Sequence, residues 1–208
     1  MYYDPRLNSH GLPHDPFLAL VVPRPIGWIS TLDGAGNVNL APYSFFNALS
    51  TKPPFVMFSS SARKDSQRNA EATGQFVVNL ATYELREEVN ATSIPADPGV
   101  DEAALIGLEM TPSVAVRPPR VTRSPVALEC LYIRSVPMVC SKGVVHPATL
   151  VIGEVIGVHI DDAVIADGRI DMQRLRPLSR LGYLDYGIID TVFSLPRPKK
   201  AVSNGGAA

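Results

Sequence analysis

Ser59, Ser60, Ser61, Arg63, Lys64 and Ser66 crowd hydroxyls and cations between an apolar run and a helical segment that opens at Asp65. A helix start carries unpaired backbone N–H groups and the positive end of the dipole, so an anion is favoured there. Hydroxyls and cations at such a point are the donors that a phosphate monoester requires. The same serines could instead make side-chain turns and helix caps, and composition alone does not separate the two readings. Earlier in the chain, Ala41, Pro42, Tyr43 and Ser44 form a small, polar loop that runs into Phe45 and Phe46. Loop backbone of that kind can face the edge of a heterocycle. The two segments together suggest a planar aromatic ligand that carries a phosphate.

Other candidates are weaker. Trp28, Tyr43, Phe45 and Phe46 could all be explained by burial, since aromatic side chains are ordinary core material. Asn79 is either a hydrogen-bond partner for a ring or a polar residue on the outer face of a strand. His146, in Gly143-Val144-Val145-His146-Pro147, is either a solvated loop residue or a functional one near the start of a long strand. Arg180, Tyr183 and Tyr186 could cover a pocket or pack against the core. His10 and His14 lack a third ligand nearby, and Cys130 and Cys140 show neither CxxC nor zinc-ligand spacing, so no metal is expected. No GxGxxG, Walker or GxSxG motif is present, which excludes a Rossmann-held nicotinamide.

These residues must be positioned by a mainly β scaffold. Residues 26–32 are rich in β-favouring types, and Asp33-Gly34-Ala35-Gly36-Asn37 supplies a reversal into residues 38–41, so a hairpin is predicted. After the aromatic loop, residues 55–59 read as a strand apolar on both faces and hence central. A helix follows over Asp65–Thr73, ended by Gly74, and then a strand over Gln75–Leu80. Thr82 is placed to cap a second helix reaching about Ala91, residues 93–99 break it, and a short helix is expected near 101–106. Residues 126–136 and 149–160 read as long barrel strands, with Gly153 and Gly157 allowing sharp bends. The chain is expected to turn irregular from Leu175, with an edge strand at 191–195. The expected fold class is a β-barrel decorated by peripheral helices.

The 208 residues suit a single domain over 1–196, followed by a flexible tail over 197–208. A net charge of -1 without long like-charge runs argues against nucleic acid or a polybasic membrane patch as partner. No apolar stretch approaches membrane-spanning length and the N-terminus lacks a signal-peptide pattern, so a cytoplasmic location is expected.

Taken together, several pieces resemble the flavin reductase-like family with the FMN-binding split-barrel fold. They are Arg24-Pro25-Ile26-Gly27-Trp28-Ile29-Ser30-Thr31, Asn39-Leu40-Ala41-Pro42-Tyr43-Ser44-Phe45-Phe46-Asn47, Pro53-Pro54, Arg63-Lys64-Asp65-Ser66 with Asn69, and Gly74-Gln75-Phe76-Val77-Val78-Asn79-Leu80. Ile152-Gly153-Glu154-Val155 and Pro177-Leu178-Ser179-Arg180-Leu181-Gly182-Tyr183 extend the similarity toward the C-terminus. The resemblance implies noncovalent FMN at a homodimer interface, with its phosphate on the segment from Ser59 to Ser66 and its ring edge on Ala41 to Phe46. It implies reduction of flavin by NADH or NADPH, often to supply a partner oxygenase; a noncatalytic FMN-binding electron carrier of the same fold is the alternative. Residues matching His146 and Tyr183 would flank the ring or the nicotinamide as the catalytic candidates. A commoner family pattern has a glycine and an acid directly before that histidine, where this chain has Val144-Val145.

Overall fold

A computed structural model describes residues 1–198; residues 199–208, most of the expected tail, lie outside the described residues. Seven antiparallel strands form the main sheet: β1 (Gly27–Leu32), β2 (Val38–Tyr43), β3 (Phe46–Thr51), β4 (Pro54–Ser60), β5 (Gln75–Leu80), β6 (Val126–Val139) and β7 (Val145–Ile160). Their spatial order is β2-β1-β5-β6-β7-β4-β3. The sheet curls until its edges approach, because Tyr43 on the outermost strand at one side meets Phe58, next to the other edge, with ring centroids 4.8 Å apart. The architecture is the expected mainly β split barrel with a few helices.

The hairpin β1–β2 closes on Asp33, whose carboxylate accepts from the backbone of Ala35 and Asn37 and from the Asn37 amide, each at 2.8 Å. Helix α1 spans Asp65–Thr73 and stops at Gly74, where φ of +73° suits a residue without Cβ. Strands β6 and β7 shift register beside Gly153 and Gly157, so these glycines do sit at bends. At Gly153 a Cβ would come within 2.3 Å of the Phe76 ring, which fills the barrel there.

The two larger cores lie on opposite faces of the sheet. Inside the barrel, Ile29, Val56, Phe58, Phe76, Val78, Cys130 and Val151 pack with Ala70 of α1. Outside, Trp28, Leu40, Ala81, Leu85, Val89, Ala103 and Val121 pack beneath helices α2 (Arg86–Ala91) and α3 (Glu102–Leu105). This explains why β1 is buried on both faces.

Four expectations are corrected. The segment 54–60 is not central and doubly buried: β4 alternates, with Val56, Phe58 and Ser60 buried, and its neighbour β3 is an exposed edge strand. Ala41, Pro42 and Tyr43 do not form a loop; they continue β2, and only Ser44 and Phe45 turn the chain before β3. Thr82 does not cap a helix with its side chain, because a 3₁₀ turn over Tyr83–Leu85 intervenes before α2 and Thr82 bridges Pro177. Residues 191–195 form no strand. The C-terminal β structure is instead Leu178–Arg180, paired with Arg24–Pro25 and with Tyr186–Ile188. Arg24 anchors this corner: its buried guanidinium donates to the carbonyls of Val21 at 2.7 Å and Leu181 at 2.6 Å.

Candidate functional site

Strand β2 lies at the edge of the sheet, and its pairing leaves alternate residues with their backbone facing outward. Leu40 is one such residue, and its N–H donates to Glu102 Oε2 at 2.9 Å. Pro42, two positions on, faces the same way; it has no N–H to leave unpaired, which is why a proline is tolerated in this strand. A carbonyl-bearing, proline-lined edge is thereby left open.

That edge forms one wall of a cleft of about 350 Å³. Ala41, Pro42 and Tyr43 line it on the sheet side, and Arg63, Lys64, Asp65, Ser66 and Arg68 line it from the start of α1. The segment 92–98 closes the third side with Ile94, Pro95, Ala96 and Pro98. Both ends of this segment are tied down. Thr92 accepts from the Trp28 indole at 2.9 Å, and the Gly99 N–H donates to Asp65 Oδ2 at 2.9 Å.

The cations in the cleft are not equivalent. Arg63 is paired with Glu71 at 2.8 Å and Arg68 with Asp65 at 2.6 Å. Lys64 makes no ion pair among the described residues, so its charge is the one uncommitted to protein. Ser66 accepts from the Asn39 amide at 2.9 Å, which fixes the hydroxyl at the base of the helix. The Tyr43 phenol sits beside the hydroxyls of Ser66 and Ser60; burial pushes its pKa up, and their hydrogen bonds pull it back only in part. Glu102 is also held up, by burial first and by the charges of Asp65 and Asp101, against the Leu40 hydrogen bond.

The cleft thus brings together Ala41, Pro42, Tyr43, Arg63, Lys64 and Ser66. Other candidates fall elsewhere. Trp28 is fully buried in the outer core with its indole committed to Thr92. Asn79 is neither ring partner nor outward-facing: it is fully buried, donates to the Trp28 carbonyl at 3.0 Å and accepts from the Val121 N–H at 2.7 Å. The Ser60 hydroxyl donates to the Ala62 carbonyl, a local turn bond, and Ser59 and Ser61 flank it on β4 and just beyond. Ser44 and Phe45 lie at the bend after β2, where the Phe45 ring is half-exposed. His146 is exposed on β7, beyond the point where Thr149 pairs with Ser60, and its Nδ1 accepts from the Ala148 N–H at 3.0 Å. Tyr183, with a positive φ of 56°, packs edge-on against His14. Neither His146 nor Tyr183 lines the cleft within the chain.

Sequence reasoning missed the segment 92–98, Arg68 and Glu102. In sequence, residues 93–99 carry only the signal of a helix breaker, apart from Ile94 directly before Pro95, an apolar residue beside the breaking prolines.

The donor set fits a flavin mononucleotide. Lys64, Ser66 and the α1 N-terminus place a cation, a hydroxyl and backbone N–H groups at one wall, as a phosphate would require, while Pro42, Ile94, Pro95 and Ala96 present apolar surface of the kind a ring would need. Comparisons with known proteins point the same way. The model for the flavin reductase like domain matches residues 19–177. An uncharacterised protein of Halalkalibacterium halodurans is 38% identical over 87% of this chain and 88% of its own, and YwrF of Bacillus subtilis, also uncharacterised, is 34% identical over 86% and 89%. Among solved structures, nitrilotriacetate monooxygenase component B from Bacillus cereus has a TM-score of 0.86 at 27% identity, covering 94% of this chain and 98% of that one. The 2-nitrobenzoate 2-nitroreductase NbaA of Pseudomonas fluorescens has a TM-score of 0.77 at 28% identity, covering 91% and 92%.

Proposed function

The chain belongs to the flavin reductase-like domain family, and from that premise we propose that its cleft binds FMN noncovalently and that the protein passes hydride to the flavin from NADH or NADPH. One observation carries the reading: a single cleft joins the uncommitted Lys64 and the start of α1 to the open, proline-lined edge of β2. FMN, when bound, supplies the hydride-accepting ring and carries the redox chemistry.

The chain's own work is then binding and exclusion. Lys64 and Ser66 hold the phosphate, the Ala41–Tyr43 edge reads the heterocycle, and segment 92–98 shields one side from water. A homodimer belongs to the proposal. Exposed apolar side chains on β7, Ile156 and Val158, line with Ala48 of β3 a groove of about 390 Å³ that suits a second copy. His146 and Tyr183, which lie off the cleft, would meet a ring only through such a pairing. A cytoplasmic location and delivery of reduced flavin to an oxygenase complete the reading; the likeness to a monooxygenase component supports the latter. The likeness to a nitroreductase favours, as second reading, a reductase that uses the same flavin on another small acceptor.

The test is the visible spectrum of the protein reconstituted with FMN and titrated anaerobically with NADH and then NADPH. Rapid bleaching of the flavin band supports the reductase and names its donor. A bound flavin that neither nucleotide bleaches shifts the function to a noncatalytic electron carrier.

A further inference from the structure

Two acids line the cleft, and they differ in what their oxygens do. Asp65 is fully engaged, with one oxygen on Arg68 and the other on the Gly99 N–H. Glu102 is 7% exposed and uses Oε2 on the Leu40 N–H at 2.9 Å. Its Oε1 receives no donor from the described residues other than its own backbone. Each carboxyl oxygen has two lone pairs, so a carboxyl held by the Leu40 N–H and its own backbone keeps capacity for a further donor.

The donor's chemistry is constrained by the surroundings. A phosphate is excluded beside Glu102 by like charge, and Lys64 with the α1 N-terminus already offers it a better place. A carbonyl is excluded because a carboxylate only accepts. A heterocyclic imide N–H satisfies the free oxygen, and the pyrimidine edge of a flavin presents one N–H between two carbonyls.

We propose that Glu102 is a specificity-determining residue: its free carboxyl oxygen accepts the imide N3–H of the flavin and so orients the ring in the cleft. This rests on the FMN reading above. The anchor to Leu40 matters as much as the free oxygen, because it holds the carboxyl at the strand edge where ring and backbone meet. Burial, first, and the nearby charges of Asp65 and Asp101 oppose ionisation, whereas the hydrogen bonds from Leu40 and from its own backbone favour it, so the carboxyl gains from a further partner that donates.

The experiment compares FMN with N3-methyl-FMN, which keeps the phosphate and ring faces and carries a methyl group in place of that N–H. Binding is read by quenching of flavin fluorescence. The wild-type protein is expected to bind N3-methyl-FMN at least tenfold more weakly than FMN. Glu102→Ala is expected to bind FMN more weakly and to bring the ratio close to one. Equal affinities in the wild-type protein overturn the role of Glu102 while leaving FMN binding intact, and they do so without any variant. An unchanged ratio in Glu102→Ala assigns the N–H to another acceptor and overturns it as well. Failure of the wild-type protein to bind either flavin overturns both this inference and the reading on which it rests.

Discussion

The buried indole of Trp28 donates to Thr92 Oγ1 at 2.9 Å, and Thr92 begins the segment that walls the cleft. A strand of the barrel is thereby tied to a wall of the site 64 residues away. Trp28→Phe keeps much of the buried ring and removes the donor, so it is expected to cost about 1–3 kcal/mol of stability. Urea denaturation measures the loss, and weaker FMN binding at unchanged fold would show that the tie also shapes the cleft.

Lys64 and Arg63 are adjacent cations with different commitments, since Arg63 already has Glu71. Lys64→Ala is expected to weaken FMN binding roughly tenfold, and Arg63→Ala by clearly less. Titration at two salt concentrations checks the assignment, because the Lys64 effect should shrink as ionic strength rises. Equal effects of the two substitutions would contradict it.

Glu129 is fully buried beneath the segment 114–116. Burial alone would raise its pKa, but the N–H groups of Val114 and Ala115 and the His159 ring together hold it below the ordinary value of 4.5. A depressed carboxylate contributes stability that is fully present above its unfolded pKa and is lost as pH falls through the lower folded value. Glu129→Gln is therefore expected to destabilise the protein at neutral pH by about 2–4 kcal/mol and to flatten the acid limb of stability against pH. Thermal melts between neutral pH and pH 3 test this, and an unaltered acid limb would assign acid sensitivity to other groups.

Gly153 faces the Phe76 ring, where an added Cβ would also lie 3.2 Å from the Leu131 carbonyl. Gly153→Ala is expected to destabilise by about 1–3 kcal/mol through overpacking. A companion Phe76→Leu change should recover part of the loss, since the ring is the main obstacle.

Val158 is 57% exposed beside the apolar groove on β7. Sedimentation is expected to give a dimer for the wild-type chain and a shift toward monomer for Val158→Glu, because a buried unpaired charge disfavours an apolar contact. A wild-type monomer that still binds FMN tightly would remove the dimer from the proposal.

Local pattern alone determined a good part of this protein. The β1–β2 hairpin, α1 with its Gly74 stop and β5 are encoded by neighbours in sequence: turn chemistry at Asp33, a left-handed glycine and runs of β-branched residues. The anion-favouring helix start at Lys64 to Ser66 was legible for the same reason, and the family motifs extended that reading to FMN. Only tertiary structure decided which candidates share a cleft. Trp28 and Asn79 look the same in sequence whether they face a ligand or a core, and it is the packing of α2 and the Val121 backbone against the sheet that buries them. Glu102 and the segment 92–98 reach the site through hydrogen bonds to Leu40, Trp28 and Asp65, partners 34 to 64 residues distant. The short C-terminal strands likewise take their form from partners, Leu178–Arg180 pairing with Arg24–Pro25 on one side and Tyr186–Ile188 on the other. A three-residue strand has too few positions to show a period of two, so its physical cause lies wholly in its partner.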